Sequence, residues 1–165
     1  MRTFPAMKLH DEFLRKANKV FSKVQRPEHF TDYQHCCECA EHDDTLSAHT
    51  PDTITREALG HAGWDPVTFA TDSGFRYYLP ALMRMALTRT GDDYYIDQFL
   101  SQVIRDGPRN SRWRACTAEQ RTVVRDALLL LLEQRLDEIE ENYDADRLMQ
   151  AIDIWSDDGE SSPGS

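Results

Sequence analysis

The sequence predicts an all-α fold, and three observations carry that expectation. Apolar residues recur at steps of three and four along most of the chain, and helix-opening and helix-stopping residues stand between those runs. There is no alternating apolar and polar run long enough for a strand, no hairpin dipeptide between two such runs, and no internal repeat. The expected architecture is a single compact multi-helix domain over residues 1–155, with about six or seven helices and one proline-kinked helix. A disordered acidic tail is expected at 156–165.

Phe13, Ala17, Val20 and Val24, with Phe21 alongside, set a helical stripe that Pro27 ends, so a first helix is expected over about residues 8–25. Thr31 is positioned to cap a second helix carrying Tyr33, Cys36, Cys37 and Ala40 to about residue 47. Thr50-Pro51 opens a short third helix that Gly60 stops. Trp64-Asp65-Pro66 repeats the opening device, and Asp72 or Ser73 starts a longer segment through Leu87, in which Pro80 predicts a kink. Gly91 and Asp92 open the next helix, whose stripe of Tyr95, Phe99, Val103 and Ile96, Leu100 stops at Asp106-Gly107-Pro108. Thr117 with Gln120 matches a capping box before Val124, Leu128, Leu132, Leu136 and Ile139, the longest helix. Asp144 caps a last helix through Leu148, Ile152 and Trp155, and the residues from Ser156 onward have nothing apolar to anchor them.

Composition narrows the function classes. A chain of 165 residues with 40% hydrophobic content can build a core without a disulfide framework. The net charge of -10, from 29 acids against 19 bases, opposes binding to nucleic acid or anionic lipid and favours a protein partner with a basic surface. Residues 1–9 lack the apolar centre of a secretory signal, and the longest apolar run, 127–132, is too short to span a bilayer, so a cytoplasmic location without membrane contact is expected. Three of the four cysteines fall together at Cys36, Cys37 and Cys39, with Cys116 far away, unlike the dispersed pattern of a secreted disulfide scaffold.

The chemically suggestive feature is the run His35, Cys36, Cys37, Glu38, Cys39 and His42. At about 100° per residue in a helix, His35, Cys39 and His42 fall on one face, with Glu38 flanking and Cys36 to the other side. Imidazole and thiolate both suit zinc, so His35, Cys36, Cys39 and His42 are the candidate metal ligands. With three of them bound, the fourth position would fall to His49, His61, a carboxylate or water. A second spaced ligand pair is missing. The rival chemistry is thiol exchange at Cys36-x-x-Cys39, although no strand or βαβ pattern precedes it. The same cysteines also fit a buried, chemically inert face.

A second candidate region runs from Leu59 to Pro66 and from Gly74 to Pro80, where aromatics, glycine and proline concentrate as in a binding groove; Trp64, Asp65, Tyr77 and Tyr78 are its candidate partner-binding residues. Between Arg105 and Arg125 six arginines stand with two acids, a patch suited to phosphate or an acidic protein as well as to a solvated helix face. Residues 133–146 carry seven acids and one base, which suits a basic partner. No Gly-rich phosphate loop, Gly-x-Ser-x-Gly elbow or His-Glu-x-x-His motif is present, so nothing outside the cluster supports an enzyme.

Cys36-x-Glu38-Cys39-x-Glu41-His42-Asp43, Leu59-Gly60-x-x-Gly63-Trp64-Asp65-Pro66 and Gly74-Phe75-x-Tyr77-Tyr78-Leu79-Pro80 together resemble an uncharacterised bacterial domain family. The resemblance implies a small bacterial cytoplasmic domain and brings no activity, cofactor or catalytic residue with it. Three expectations follow: a helical interaction or accessory protein of a toxin-neutralising or regulatory kind, a zinc-binding domain, and a thiol-redox protein.

Overall fold

Among the residues that the computed structural model describes, 3–89 and 93–157 with side chains from residue 8, the chain is all-α, with an isolated antiparallel bridge between Thr31 and Ala70. The helices are α1 (Thr3–Val20), α2 (Cys37–Ser47), α3 (Asp72–Leu87), α4 (Ile96–Val103), α5 (Ser111–Ala115), α6 (Ala118–Gln134), α7 (Leu136–Glu141) and α8 (Ala145–Ser156). Three 3-10 turns, Glu57–Leu59, Ala62–Trp64 and Pro66–Phe69, lead from α2 to α3. None of the described helices is long and apolar enough to cross a membrane. Gly91, Asp92 and the tail from residue 158 lie outside the described residues.

Helix α3 is the axis of the core, because it is apolar almost all round. Phe75, Tyr78, Leu79, Leu82, Met83 and Ala86 are fully buried, each large apolar side chain contributing about 1.5–3 kcal/mol on leaving water. Helices α1, α4, α5 and α6 pack against it, and α8 closes the far side of α4 and α6. Helix α3 starts at Asp72, one of the two expected positions, with Thr71 as its N-cap accepting the Gly74 N–H at 3.1 Å. Pro80 sits inside the unbroken helix.

Several boundaries differ from expectation, each for a visible reason. Helix α1 stops at Val20, and the chain after it is drawn across by Arg26, whose guanidinium donates to the Ser47 and His49 carbonyls at the end of α2. Residues 50–60 form turns in place of a third α-helix: the Thr50 N–H is taken by the Thr53 hydroxyl at 2.8 Å, and β-branched Thr53, Ile54 and Thr55 follow. The capping box at Thr117 and Gln120 is present as expected. The long helix after it nevertheless breaks at Arg135 (φ -132, ψ 22), which buries its guanidinium and donates to the Ala86 carbonyl in the last turn of α3 at 2.6 Å. Asp144 is at the N-cap of α8, but its carboxylate accepts from Tyr94 and Arg147 and makes no capping bond. Asn110 caps α5, a helix absent from the sequence expectation, by accepting the Trp113 N–H at 2.8 Å.

The N-terminal end of α2 is where sequence and structure differ most. Thr31 does not cap it: the Thr31 hydroxyl donates to the Cys39 carbonyl at 2.6 Å and its N–H to Asp43 at 3.1 Å. With Thr31 so engaged, residues 32–35 turn, the His35 N–H reaching the Asp32 carbonyl at 3.0 Å, and the helix begins at Cys37 with Cys36 as its N-cap.

Candidate metal centre

The site is assembled by pinning a loop onto α2. Asp43, nearly buried, accepts the Phe30 N–H at 2.6 Å and the Thr31 N–H, and pairs with His29 Nδ1 at 2.9 Å. Burial pushes the Asp43 carboxyl up, but those bonds together outweigh it and hold its pKa below the ordinary aspartate value. Phe30 is itself locked between Tyr77 and Tyr78 of α3. The turn that follows can therefore place His35 over the first turn of α2.

There the Sγ atoms of Cys36 and Cys39 are 3.3 Å apart, and Cys39 Sγ is 3.8 Å from His35 Nδ1. The three donor atoms all lie within 4.8 Å of one another, a group able to hold a metal ion. Cys36 and Cys37 are exposed, while Cys39 is buried. As N-cap, Cys36 accepts the Cys39 N–H at 3.4 Å. That backbone donor, helped by His35 and the Cys39 thiol, lowers the Cys36 pKa to about 7. The Cys39 thiol is pushed up by its bond to Cys36 and by burial, and His35 is raised by the neighbouring Cys36 sulfur. Cys116 lies elsewhere, buried, with its thiol pushed up to about 12.

Of the four expected ligands, His42 does not join this group. Helical phase predicts that His35, Cys39 and His42 converge with Cys36 turned aside; in the structure Cys36 is in the group and His42 is out of it. The reason is the late start of α2: His35 is oriented by a turn, Cys36 by its capping bond, and His42 faces the 3-10 segment. The His42 ring, 1% exposed, stacks on Phe69 at 4.5 Å and meets Trp64 at 4.6 Å. Burial lowers its pKa.

The four candidate partner-binding residues also separate. Trp64 is 43% exposed and Tyr77 half-buried, whereas Asp65 and Tyr78 are inside the molecule. The Tyr78 hydroxyl lies within hydrogen-bond reach of the Leu46 and His49 carbonyls. Asp65 accepts the Val67 N–H at 2.9 Å, and its other oxygen accepts from the Gln98 and Gln102 amides at 3.1 and 3.2 Å. Gln98 in turn accepts from Arg56, and Gln102 from Arg112. Burial raises the Asp65 pKa while the donated bonds oppose it. Gly60 makes the turn into this segment possible, having φ 60 and a position where a Cβ would meet the Trp64 carbonyl oxygen at 2.5 Å. Sequence reasoning missed Gln98, Gln102 and Arg112, because nothing local marks a glutamine whose partner is a distant turn.

The arginine-rich stretch is largely absorbed by the fold. Arg112 is buried over Phe75 and donates to the Val67 carbonyl, Arg121 stacks on Trp113 at 3.6 Å, and Arg105 donates to the Thr68 carbonyl. No curated protein and no solved structure matches the chain. The model of one family, a family of unknown function, matches residues 9–158, and the chain therefore belongs to the family DUF6714.

Proposed function

We propose that this protein binds zinc through His35, Cys36 and Cys39. The observation that carries the reading is the convergence of one imidazole nitrogen and two sulfurs within 4.8 Å. This donor set suits zinc, and a tetrahedral ion would tie the loop at His35 and Cys36 to the body of α2. In a reducing compartment such as a bacterial cytoplasm, the thiols stay available as ligands. A protein-docking role at the aromatic segment has less support, because Asp65 and Tyr78 are committed to the interior and Trp64 packs on His42. The test is elemental analysis of protein purified without chelator. Near one zinc per chain is expected, lost in Cys36→Ser and Cys39→Ser; a metal-free wild-type protein refutes the proposal.

A second reading, thiol exchange, is favoured by one observation: an exposed Cys36 at a helix N-cap stands 3.3 Å from a buried Cys39 sulfur. Cys36 thiolate would attack a partner disulfide and release one partner thiolate. Cys39 thiolate would then attack Cys36, releasing the second, so that the partner gains the two electrons that the pair loses. Metal-free protein incubated with a disulfide reagent should yield a Cys36–Cys39 disulfide by peptide mapping, and its absence removes this reading.

A further inference from the structure

Three ligands leave a tetrahedral ion one short, and the structure holds a buried polar atom beside the site with nothing to bind. His42 Nε2 has no hydrogen-bond partner, although its ring is 1% exposed. Leaving such a group unsatisfied is destabilising. Side chains of a helix lean toward its N-terminus, and His42 Nε2 accordingly approaches Glu38, one turn back along α2. Glu38, Glu41 and Asp65 are the acids that act on His42, and Glu38 is the one that pairs with it, its Oε1 being 3.9 Å away, just beyond hydrogen-bond range. Glu38 precedes Cys39 in the chain, and its side chain is 40% exposed.

Resting on the zinc reading of His35, Cys36 and Cys39, we infer that Glu38 supplies the fourth ligand through one carboxylate oxygen while its other oxygen accepts the His42 Nε2 proton. The centre is then closed by four protein ligands, which is the pattern of a structural site; a catalytic site keeps a position for water or substrate. A ligating carboxylate is ordinarily held by a hydrogen bond of this kind. His42 is well placed to provide it, since Phe69 and Trp64 fix the plane of its ring. Those two residues flank Asp65, whose buried network holds their segment in place. Cys36-x-Glu38-Cys39 and Glu38-x-x-x-His42 thus become parts of one device, with Gly60 to Pro66 as its support. Asp32 acts on both His35 and Cys39 and Glu38 on Cys39; of the two, Glu38 is the one that the unpartnered His42 Nε2 approaches.

The test is zinc affinity by competition with a chromophoric chelator, together with the visible ligand-field spectrum of the cobalt(II) form, in the wild-type protein and in Glu38→Gln, His42→Phe, Asp32→Asn and Cys36→Ser. Glu38→Gln and His42→Phe are each expected to weaken zinc binding about 10–100-fold, and the double variant no more than Glu38→Gln alone. The strong bands of four-coordinate cobalt should fade in Glu38→Gln, and Asp32→Asn should match the wild type. Should His42→Phe fail to fold, NMR of the wild-type protein gives the same answer: the His42 Nε2 proton becomes protected from exchange on adding zinc and stays unprotected in Glu38→Gln. Unchanged affinity and spectrum in Glu38→Gln, while Cys36→Ser loses the metal, would overturn the inference and leave an open three-ligand site. So would an effect of Glu38→Gln that His42→Phe does not share, or a loss in Asp32→Asn instead. If the wild-type protein takes up neither zinc nor cobalt, it is the zinc reading that fails.

Discussion

Replacing Asp65 tests the support on which the aromatic segment rests. Its carboxylate satisfies three buried donors, the Val67 N–H and the side-chain amides of Gln98 and Gln102. In Asp65→Ala the Val67 N–H loses its acceptor, and the Gln98 and Gln102 amides keep only the Leu59 carbonyl at 3.3 Å and the Thr68 hydroxyl at 2.9 Å. Neither glutamine can rotate its own carbonyl inward to compensate, because Gln98 Oε1 is held by Arg56 at 2.8 Å and Gln102 Oε1 by Arg112 at 2.7 Å. At about 1.5–3 kcal/mol for each bond lost to the carboxylate, and with partial relief from no longer burying a charge, the expected loss is about 3–5 kcal/mol. For a chain of this length that is a fall in Tm of roughly 10 °C or more. Asp65→Asn is milder. One orientation of the amide keeps both glutamines and loses Val67, the other does the opposite, so the better of the two sacrifices a single bond, about 1–3 kcal/mol. Urea unfolding followed by tryptophan fluorescence and by circular dichroism reads both variants. An alanine variant within about 1 kcal/mol of wild type, or an asparagine variant as damaged as alanine, would refute the network as the source of this rigidity.

Gly60→Ala forces a side chain into a left-handed backbone and against the Trp64 carbonyl, so it should cost at least about 2 kcal/mol in the same unfolding assay; a neutral substitution would contradict the turn geometry. Asp43 has a folded pKa below the ordinary 3.8, so the unfolded chain binds protons more readily and the stabilisation is present above that value and lost as pH falls through the folded one. Amide exchange at Phe30 and Thr31 should therefore accelerate in acid, and Asp43→Asn should remove that dependence; an unchanged acid response in the variant counts against the pin. In metal-free protein, carboxymethylation of Cys36 should rise with a midpoint near pH 7 and precede that of Cys39, as read by peptide mapping. A Cys36 midpoint near the ordinary 9.0 would show that the capping bond does not activate it.

Much of the fold was legible because its signals are local. The box at Thr117 and Gln120 and the Asp65-Pro66 opening each depend on atoms within one turn of the chain, and each occurs where expected. Expectations failed where a residue of the right type was committed elsewhere. Thr31 could cap a helix by itself, but the Cys39 carbonyl and Asp43 claim it. The stripe from Val124 to Ile139 reads as one helix, but Arg135 breaks it to satisfy the Ala86 carbonyl of α3.

The metal centre divides in the same way. By itself, the sequence determined the all-α class and marked the Cys36-x-x-Cys39 run as the candidate site, since helical periodicity and residue spacing are properties of the chain alone. Tertiary structure decided which histidine completes the group. His35 is directed by a loop that Asp43 and Phe30 anchor to two other elements, and His42 is drawn into the aromatic slot of Trp64 and Phe69. A side chain's direction follows from what packs against it, and those contacts come from parts of the chain that no local pattern brings together.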